Sequence, residues 1–183
     1  MNKYLITSRE FYTDTPAVFR SILHKQFVKH SPSYALYRDK SNPNYDEQAS
    51  HFIEVCNQFE NIKSFIHQDI DLALKLQADG VHLTSNQFDK IQKAKDTKLE
   101  VIISTHSHEE VLKAQEYGVD AVTYSPVFVS PNKGKAKGIE DLKELLCKCD
   151  TNIFALGGIV EDFQINQIKE IGVFGFASIR YFY

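Results

Sequence analysis

The most constraining feature of this chain is a regular alternation of strand-like and helix-like segments along nearly its whole length. Such alternation is typical of parallel strands joined by crossover helices. Eight strands are predicted, at Tyr4–Thr7, Ser33–Arg38, Ile62–His67, Gly80–Leu83, Glu100–Ser104, Ala121–Ser125, Ile153–Gly157 and Gly175–Ile179. Helices are predicted at Tyr45–Phe59, Ile70–Gln77, Gln87–Asp96, His108–Tyr117, Ile139–Cys147 and Glu161–Ile171. Eight such units predict an α/β fold, a compact (β/α)8 TIM barrel.

Local signals sharpen this prediction. Ser107 with Glu110 predicts a capping box, and Tyr117-Gly118 predicts a left-handed helix stop. After the eighth strand only Arg180 to Tyr183 remain, so we expect the last helix to be truncated to a turn, with its aromatic residues capping the barrel or packing on another subunit. An open doubly wound sheet is the alternative, but no Gly-x-Gly-x-x-Gly follows the first strand.

Composition limits the class of protein. With 183 residues, 43% hydrophobic and 25% charged, the chain is expected to form one domain over residues 1–183. A net charge of -3 argues against nucleic acid and anionic membranes as partners. No apolar run approaches the roughly 20 residues of a membrane span, and the start lacks a signal-peptide core, so we expect a cytoplasmic protein. Cys56, Cys147 and Cys149 lack zinc-type spacing and are expected to be buried or free.

The loop Val127–Gly138 is a candidate phosphate site. It carries hydroxyl, amide and ammonium donors, with two glycines whose backbone could approach an anion. An ordinary solvated connection has the same composition, and both interpretations stay open on the loop alone. Gly157-Gly158 after an apolar run could likewise offer backbone amides to phosphate, or form only a tight turn.

The strand ends supply further candidates. Arg38 and Lys40 share one parity, so both can point into the barrel mouth, although a salt bridge to a nearby carboxylate is the alternative. His67 and His106 follow strands and are the candidate catalytic acid/base residues. His82, within a strand, is expected to be a hydrogen-bonded core residue.

Two further expectations concern solvent and metal. His108, at the start of a helix, is expected to be solvated. Strands three and four end in Gln68 and Gln87 where Mg²⁺ would want carboxylates, and Asp69 and Asp71 lie in the following helix. No metal site is predicted.

The chain resembles the thiamine phosphate synthase and TenI superfamily. The motifs that carry the resemblance are collinear: Tyr37-Arg38-Asp39-Lys40, Asp71-Leu72-Ala73-Leu74 with Ala78-Asp79-Gly80-Val81-His82-Leu83, Ser104-Thr105-His106-Ser107-His108-Glu109-Glu110, Pro126-Val127-Phe128-Val129-Ser130-Pro131-Asn132-Lys133 and Ala155-Leu156-Gly157-Gly158-Ile159. Members of that superfamily are (β/α)8 barrels of thiamine biosynthesis. The synthase joins a pyrimidine diphosphate to a thiazole phosphate with Mg²⁺, whereas TenI-type members handle a thiazole carboxylate phosphate, some as aromatising tautomerases.

The resemblance implies roles for individual residues. The positions that contact the pyrimidine diphosphate in the synthase are Arg38, Lys40, Ser104 and Lys133. The thiazole phosphate site, usually two threonines and a glycine amide, corresponds to Ser130, Asn132 and Gly158.

Departures from the family pattern distinguish the subclasses. The metal-binding positions hold His67-Gln68 and Gln87, the pyrimidine-contacting glutamine is Leu36, and the catalytic histidine of the tautomerases is Pro126. We therefore expect a TenI-like protein that binds a phosphorylated thiazole, acting as a tautomerase through His67 or His106. The alternatives are a divergent synthase, which would need Mg²⁺, and a non-catalytic thiazole phosphate binding protein. No other cofactor is expected. A homo-oligomer remains open because of the aromatic end.

Overall fold

The computed structural model describes residues 1–183 and contains a closed barrel of eight parallel strands in sequential order. The strands are β1 (Asn2–Ile6), β2 (Tyr34–Tyr37), β3 (Lys63–His67), β4 (Gly80–Leu83), β5 (Glu100–Thr105), β6 (Ala121–Tyr124), β7 (Asn152–Leu156) and β8 (Gly175–Ser178). The predicted (β/α)8 barrel is confirmed. The open doubly wound sheet is excluded, because β1 pairs with β8 and closes the sheet.

Helices surround the barrel. They are α1 (Arg9–Tyr12), α2 (Pro16–His30), α3 (Tyr45–Cys56), α4 (Ile70–Lys75), α5 (Ile91–Lys95), α6 (His108–Glu116), α7 (Gly138–Leu146) and α8 (Asp162–Glu170). Short 3₁₀ turns occupy Phe88–Lys90 and Arg180–Phe182. No helix was predicted between the first two strands, yet α2 lies there and buries Phe19, Leu23 and Phe27 at helical spacing.

The helix signals are confirmed in part. The Ser107 hydroxyl accepts a hydrogen bond from the Glu110 amide at 3.1 Å, as expected for an N-cap. The reciprocal half of the capping box is wrong, because the Glu110 carboxylate accepts from the His106 amide at 2.6 Å instead. Gly118 has φ 73°, which confirms the left-handed stop after α6.

The core has two layers. The larger apolar cluster lies between the sheet and the helices, and a smaller one fills the barrel interior. Because successive strand residues point to opposite faces, Ala121 belongs to the interior cluster while Val122 and Tyr124 belong to the outer one. No helix of the chain is long and apolar enough to cross a membrane.

The aromatic end packs on its own barrel. Phe182 is buried and stacks on Phe176, with ring centroids 5.6 Å apart. Tyr183 contacts Phe11 of α1 at 4.6 Å and remains half exposed. The turn therefore covers the outside of β8, where a barrel of this kind would place another helix. All three cysteines are free, and Cys56 is buried.

Candidate active site

The carboxyl ends of the strands form a mouth whose floor is polar on one half. On the four consecutive strands β3 to β6, His67 pairs in register with His82 and Ser104 pairs with Thr123, while His82 pairs with Ile102, so the second pair lies two residues nearer the carboxyl ends of its strands. His82 is 2% exposed and lies between two partners, with Nδ1 2.8 Å from the Tyr4 hydroxyl and Nε2 3.0 Å from Ser104 Oγ. The hydroxyl of Thr123 is buried without a partner in the protein. Of these four side chains, Ser104 is half-buried and His67 is 8% exposed, so these two are the ones that could form hydrogen bonds with a ligand on this half.

The other half of the floor is apolar. Ile6 pairs in register with Leu36, and Leu156 pairs with Ala177, so β1, β2, β7 and β8 all contribute aliphatic side chains. Leu36 is 1% exposed. The floor as a whole is thus amphipathic and suits a flat ring with one polar edge.

Three cations converge above the floor. Arg38 is half-buried, and desolvation lowers the pKa of its guanidinium. The Arg38 charge, followed by desolvation and the Lys133 charge, lowers the pKa of Lys40, so β2 and the loop after β6 bring their cations close together. The salt-bridge alternative is wrong: the intervening Asp39 pairs with Arg9 at 3.1 Å, and neither Arg38 nor Lys40 has a carboxylate partner. The mouth therefore carries uncompensated positive charge.

His67 lies beside these cations. The residue is 8% exposed, and burial together with Arg38 and Lys40 lowers its pKa to about 3. The imidazole is therefore neutral at physiological pH and can accept a proton or a hydrogen bond. Tyr45 of α3 holds this strand end, with its hydroxyl 3.3 Å from the His67 carbonyl.

A cavity of about 710 Å³ opens beside His67, on the β2 to β4 side of the mouth. Its lining is Asp39, Lys40, Tyr45, His67, Gln68, Asp69, Ile70, Asp71, Gln87, Lys90 and Lys93. Tyr45, Lys90 and Lys93 were not predicted at the site, because their position at the mouth depends on how α3, the 3₁₀ turn Phe88–Lys90 and α5 pack.

Gln87 holds two loops of this cavity together. Its Oε1 accepts from the Thr84 amide at 2.9 Å, and its Nε2 donates to the Gln68 carbonyl at 3.2 Å. Gln68 itself has φ 69°, a left-handed conformation that is costly for a residue with a side chain. The amide of Gln87 thus stabilises a strained turn at the end of β3.

The residues present do not fit a magnesium ion. Asp69 caps α4 by accepting from the Leu72 amide at 2.9 Å, and Asp71 pairs with Lys93 at 3.1 Å. The oxygen of Gln87 is already engaged with Thr84. No cluster of three His, Cys, Asp or Glu residues is arranged to hold a metal.

The β6 to β7 side of the mouth is built from backbone. Gly157 and Gly158 have φ 100° and 70°, and neither amide donates a hydrogen bond within the protein. A Cβ on Gly157 would lie 2.7 Å from Pro126 Cα, and one on Gly158 would overlap the Val129 carbonyl oxygen. The two glycines therefore let the loops after β6 and β7 pack directly on each other, which a simple tight turn would not need.

The other predicted phosphate ligands lie on the loop after β6. Ser130 is half-buried, whereas Asn132 and Lys133 are exposed. The Lys133 amide donates to the Ser130 carbonyl at 3.3 Å, and Asn132 has φ 58°, so the segment forms a compact turn. Only Lys133 is connected to the rest of the mouth by its effect on Lys40.

Three other histidines near the mouth or named by the sequence lie in different environments. His106 is exposed on the rim, 3.6 Å from Glu110, and does not line the cavity. His82 is the hydrogen-bonded core residue that the sequence predicted. The prediction for His108 is wrong: α6 and α7 pack it against Asp141 at 3.2 Å, because the helix start faces its neighbour and not open solvent.

Comparisons with known proteins agree with this architecture. The model of the family described as thiamine monophosphate synthase matches residues 3–182. The chain belongs to the thiamine monophosphate synthase family.

Individual relatives support the family assignment. A protein of Aquifex aeolicus is 34% identical over 120 residues, which are 64% of this chain and 64% of the relative. The thiamine-phosphate synthase of Prochlorococcus marinus is 31% identical over 144 residues, 75% of this chain and 41% of that protein. The chain thus spans less than two thirds of these two relatives. The structure of a thiamine phosphate pyrophosphorylase from Pyrococcus furiosus superposes with a TM-score of 0.83 at 25% identity, covering 97% of this chain and 85% of that one.

Proposed function

We propose that this member of the thiamine monophosphate synthase family binds a phosphorylated thiazole in the barrel mouth and isomerises it. One observation carries the proposal: Arg38, Lys40 and Lys133 converge without carboxylate partners beside a neutral, buried His67. Arg38 is half-buried whereas Lys40 and Lys133 are exposed, and a group of cations without carboxylate partners favours an anionic ligand, which supplies the missing negative charge. The free amides of Gly157 and Gly158, with Ser130 and Asn132, would hold the phosphate.

The floor supports a heteroaromatic ring as the rest of the ligand. A thiazole placed there would turn its ring heteroatoms or carboxylate toward His67 and Ser104, and its apolar edge toward Leu36 and Leu156. The carboxylate of a thiazole carboxylate phosphate would be the second anion, held by Arg38 and Lys40. Two anionic groups at the two sides of one mouth fit the distribution of its donors.

His67 would serve as the acid/base. A tautomerisation removes a proton from one carbon of the ligand and returns a proton to another, so one group that accepts and then releases a proton is sufficient. In the free protein burial, with smaller contributions from Arg38 and Lys40, keeps the His67 pKa low. A bound anion would offset the two charge contributions and so raise the pKa of His67, which favours its role as a proton acceptor. His106, paired with Glu110 on the rim, is the second candidate.

The test supplies purified protein with the thiazole carboxylate phosphate tautomer and follows its conversion. We expect wild-type turnover, a loss of about a hundredfold or more in kcat for His67→Ala, and little change for His106→Ala. Turnover that survives in both variants would exclude the two histidines. Ligand-induced thermal stabilisation without any turnover would instead indicate the non-catalytic binding protein.

A divergent thiamine phosphate synthase is the second candidate function. The relatives bearing that name support it, as do the cations Arg38, Lys40 and Lys133 at the mouth. Against it, the carboxylates near the mouth are committed to a helix cap and to Lys93. Supplying the pyrimidine diphosphate and thiazole phosphate with and without Mg²⁺ tests it: pyrophosphate release that depends on both substrates supports the synthase, and none at high enzyme concentration removes it.

A further inference from the structure

A chain of hydrogen bonds crosses the barrel interior beneath the mouth. It joins Tyr4 on β1, His82 on β4 and Ser104 on β5, through contacts of 2.8 and 3.0 Å. Tyr4 is fully buried, His82 is 2% exposed, and Ser104 reaches the mouth. The directions of these two hydrogen bonds determine whether the Ser104 hydroxyl can donate a hydrogen bond to a ligand.

The surroundings of Tyr4 fix the direction of the first bond. Its ring lies among those of Phe65, Phe154 and Tyr34, with centroids 5.1 to 5.9 Å away, and its hydroxyl has no partner other than His82. If His82 donated to this hydroxyl, the phenolic hydrogen would be left unsatisfied among apolar rings, at a cost of about 1–3 kcal/mol. The Tyr4 hydroxyl therefore donates to His82 Nδ1.

The direction of the second bond follows from the first. Burial, with smaller contributions from His67 and Arg38, keeps the pKa of His82 well below its ordinary value, so the ring is neutral and carries one hydrogen. With Nδ1 accepting, that hydrogen is on Nε2 and is donated to Ser104 Oγ. Ser104 has no other side-chain partner in the protein, so its own hydroxyl hydrogen remains available to the mouth.

We infer that Tyr4 is a positioning residue, which selects the Nε2–H tautomer of His82 and thereby makes the Ser104 hydroxyl a hydrogen-bond donor to an oxygen or ring nitrogen of the ligand. The ligand part of this inference rests on the proposed function, whereas the tautomer does not. A purely structural role of Tyr4 would require its ring and not its hydroxyl.

The first experiment measures the tautomer directly. In protein with isotope-labelled histidine, the nitrogen chemical shifts of His82 report which ring nitrogen carries the hydrogen. We expect the Nε2–H form alone in the wild type and a mixture of tautomers in Tyr4→Phe. Tyr34→Phe is the matched control, because it removes a hydroxyl from the same aromatic cluster that does not contact His82. A wild type with hydrogen on Nδ1, or a Tyr4→Phe variant that keeps Nε2–H alone, overturns the inference.

The second experiment measures affinity for thiazole phosphate by calorimetry. We expect Tyr4→Phe to weaken binding about fivefold, and Tyr34→Phe to leave it within twofold. In a Ser104→Ala background, Tyr4→Phe should have no further effect, because the two changes remove one interaction. Additive losses would overturn the donor role of Ser104. If the wild type does not bind thiazole phosphate, the proposed function fails, and the tautomer measurement still decides the assignment of Tyr4.

Discussion

The two sides of the barrel mouth are built by different means. On the β6 to β7 side, Gly157 and Gly158 leave backbone amides free and pack the loops against each other, and the Lys133 side chain adds a charge. On the β2 to β4 side the chemistry is in side chains: cations, the neutral His67 and the amide of Gln87. Backbone donors bind an anion whatever the neighbouring side chains are, whereas one side-chain replacement changes a general base or a metal ligand.

Because of this difference, we relate ligand binding to the β6 to β7 side and the type of reaction to the β2 to β4 side. Under the proposed function, the β6 to β7 side would meet a single requirement, the binding of a small tetrahedral anion near a turn of glycines. The β2 to β4 side can serve several reactions, depending on which groups stand at the ends of β3 and β4. Here those groups are the His67 imidazole and the side-chain amides of Gln68 and Gln87, and under the proposed function the imidazole would transfer the proton.

The largest expected effect comes from Gly158→Ala, which tests whether the stability of the β6 to β7 side depends on close packing of its two loops. Its φ of 70° is strained for alanine, and the new Cβ would overlap the Val129 carbonyl. We expect the free energy of unfolding to fall by about 3–4 kcal/mol. Gly172→Ala is the control: it has φ 75° but no atom within 4 Å of the new Cβ, so its cost should be about 1 kcal/mol. Equal losses in the two variants would refute loop packing as the cause.

The second prediction tests the β2 to β4 side through the pH dependence of the protein's stability. The pKa of His67 is about 3 in the folded protein, below the 6.5 of the unfolded chain, so the unfolded state binds more protons in the interval between them. The contribution of His67 to the free energy of unfolding is therefore fully present above pH 6.5, and it is lost as the pH falls toward 3. Between pH 7.5 and pH 5 the loss should be about 2 kcal/mol.

Urea unfolding at the two pH values measures this loss, and His67→Gln is the comparison. The variant keeps every other titrating group, including His82, so the difference between the two pH responses isolates His67. A His67→Gln response identical to that of the wild type would show that neither burial nor the cations of the mouth lower the pKa of His67.

The third prediction returns to the loop after β6. Lys133→Ala should weaken thiazole phosphate binding about tenfold, because a charge that acts on Lys40 also acts on an anion placed between them. Lys135→Ala removes an equal charge from the same exposed loop without any effect on Lys40, and should leave affinity within twofold. Calorimetry at one salt concentration compares the three proteins. Equal weakening by both variants would mean that the affinity depends on the net charge of the loop and not on the position of Lys133.

The barrel could be predicted from the sequence because apolar runs, caps and turn glycines are local signals. Parity along one strand was also enough to place Arg38 and Lys40 at the mouth. The bond from Tyr4 to His82 could not be predicted: the residues are 78 positions apart on strands that are not neighbours in the sheet and meet only through the barrel interior. For the same reason the sequence could not distinguish a phosphate-binding Gly157-Gly158 from one required for packing.

The smallest expected effect concerns Gln87, which occupies a metal-binding position in the synthase pattern and here fastens two loops. Gln87→Ala leaves the Thr84 amide and the Gln68 carbonyl without their partner, so the free energy of unfolding should fall by about 1 kcal/mol. Gln92→Ala removes a hydrogen bond on an exposed helix and should cost less than about 0.5 kcal/mol. Urea unfolding of both variants, with and without Mg²⁺, measures the difference. Since the amide and not a metal joins the loops, Mg²⁺ should not restore the stability of Gln87→Ala. Restoration by Mg²⁺ would mean that this side of the mouth still holds a metal and would favour the synthase.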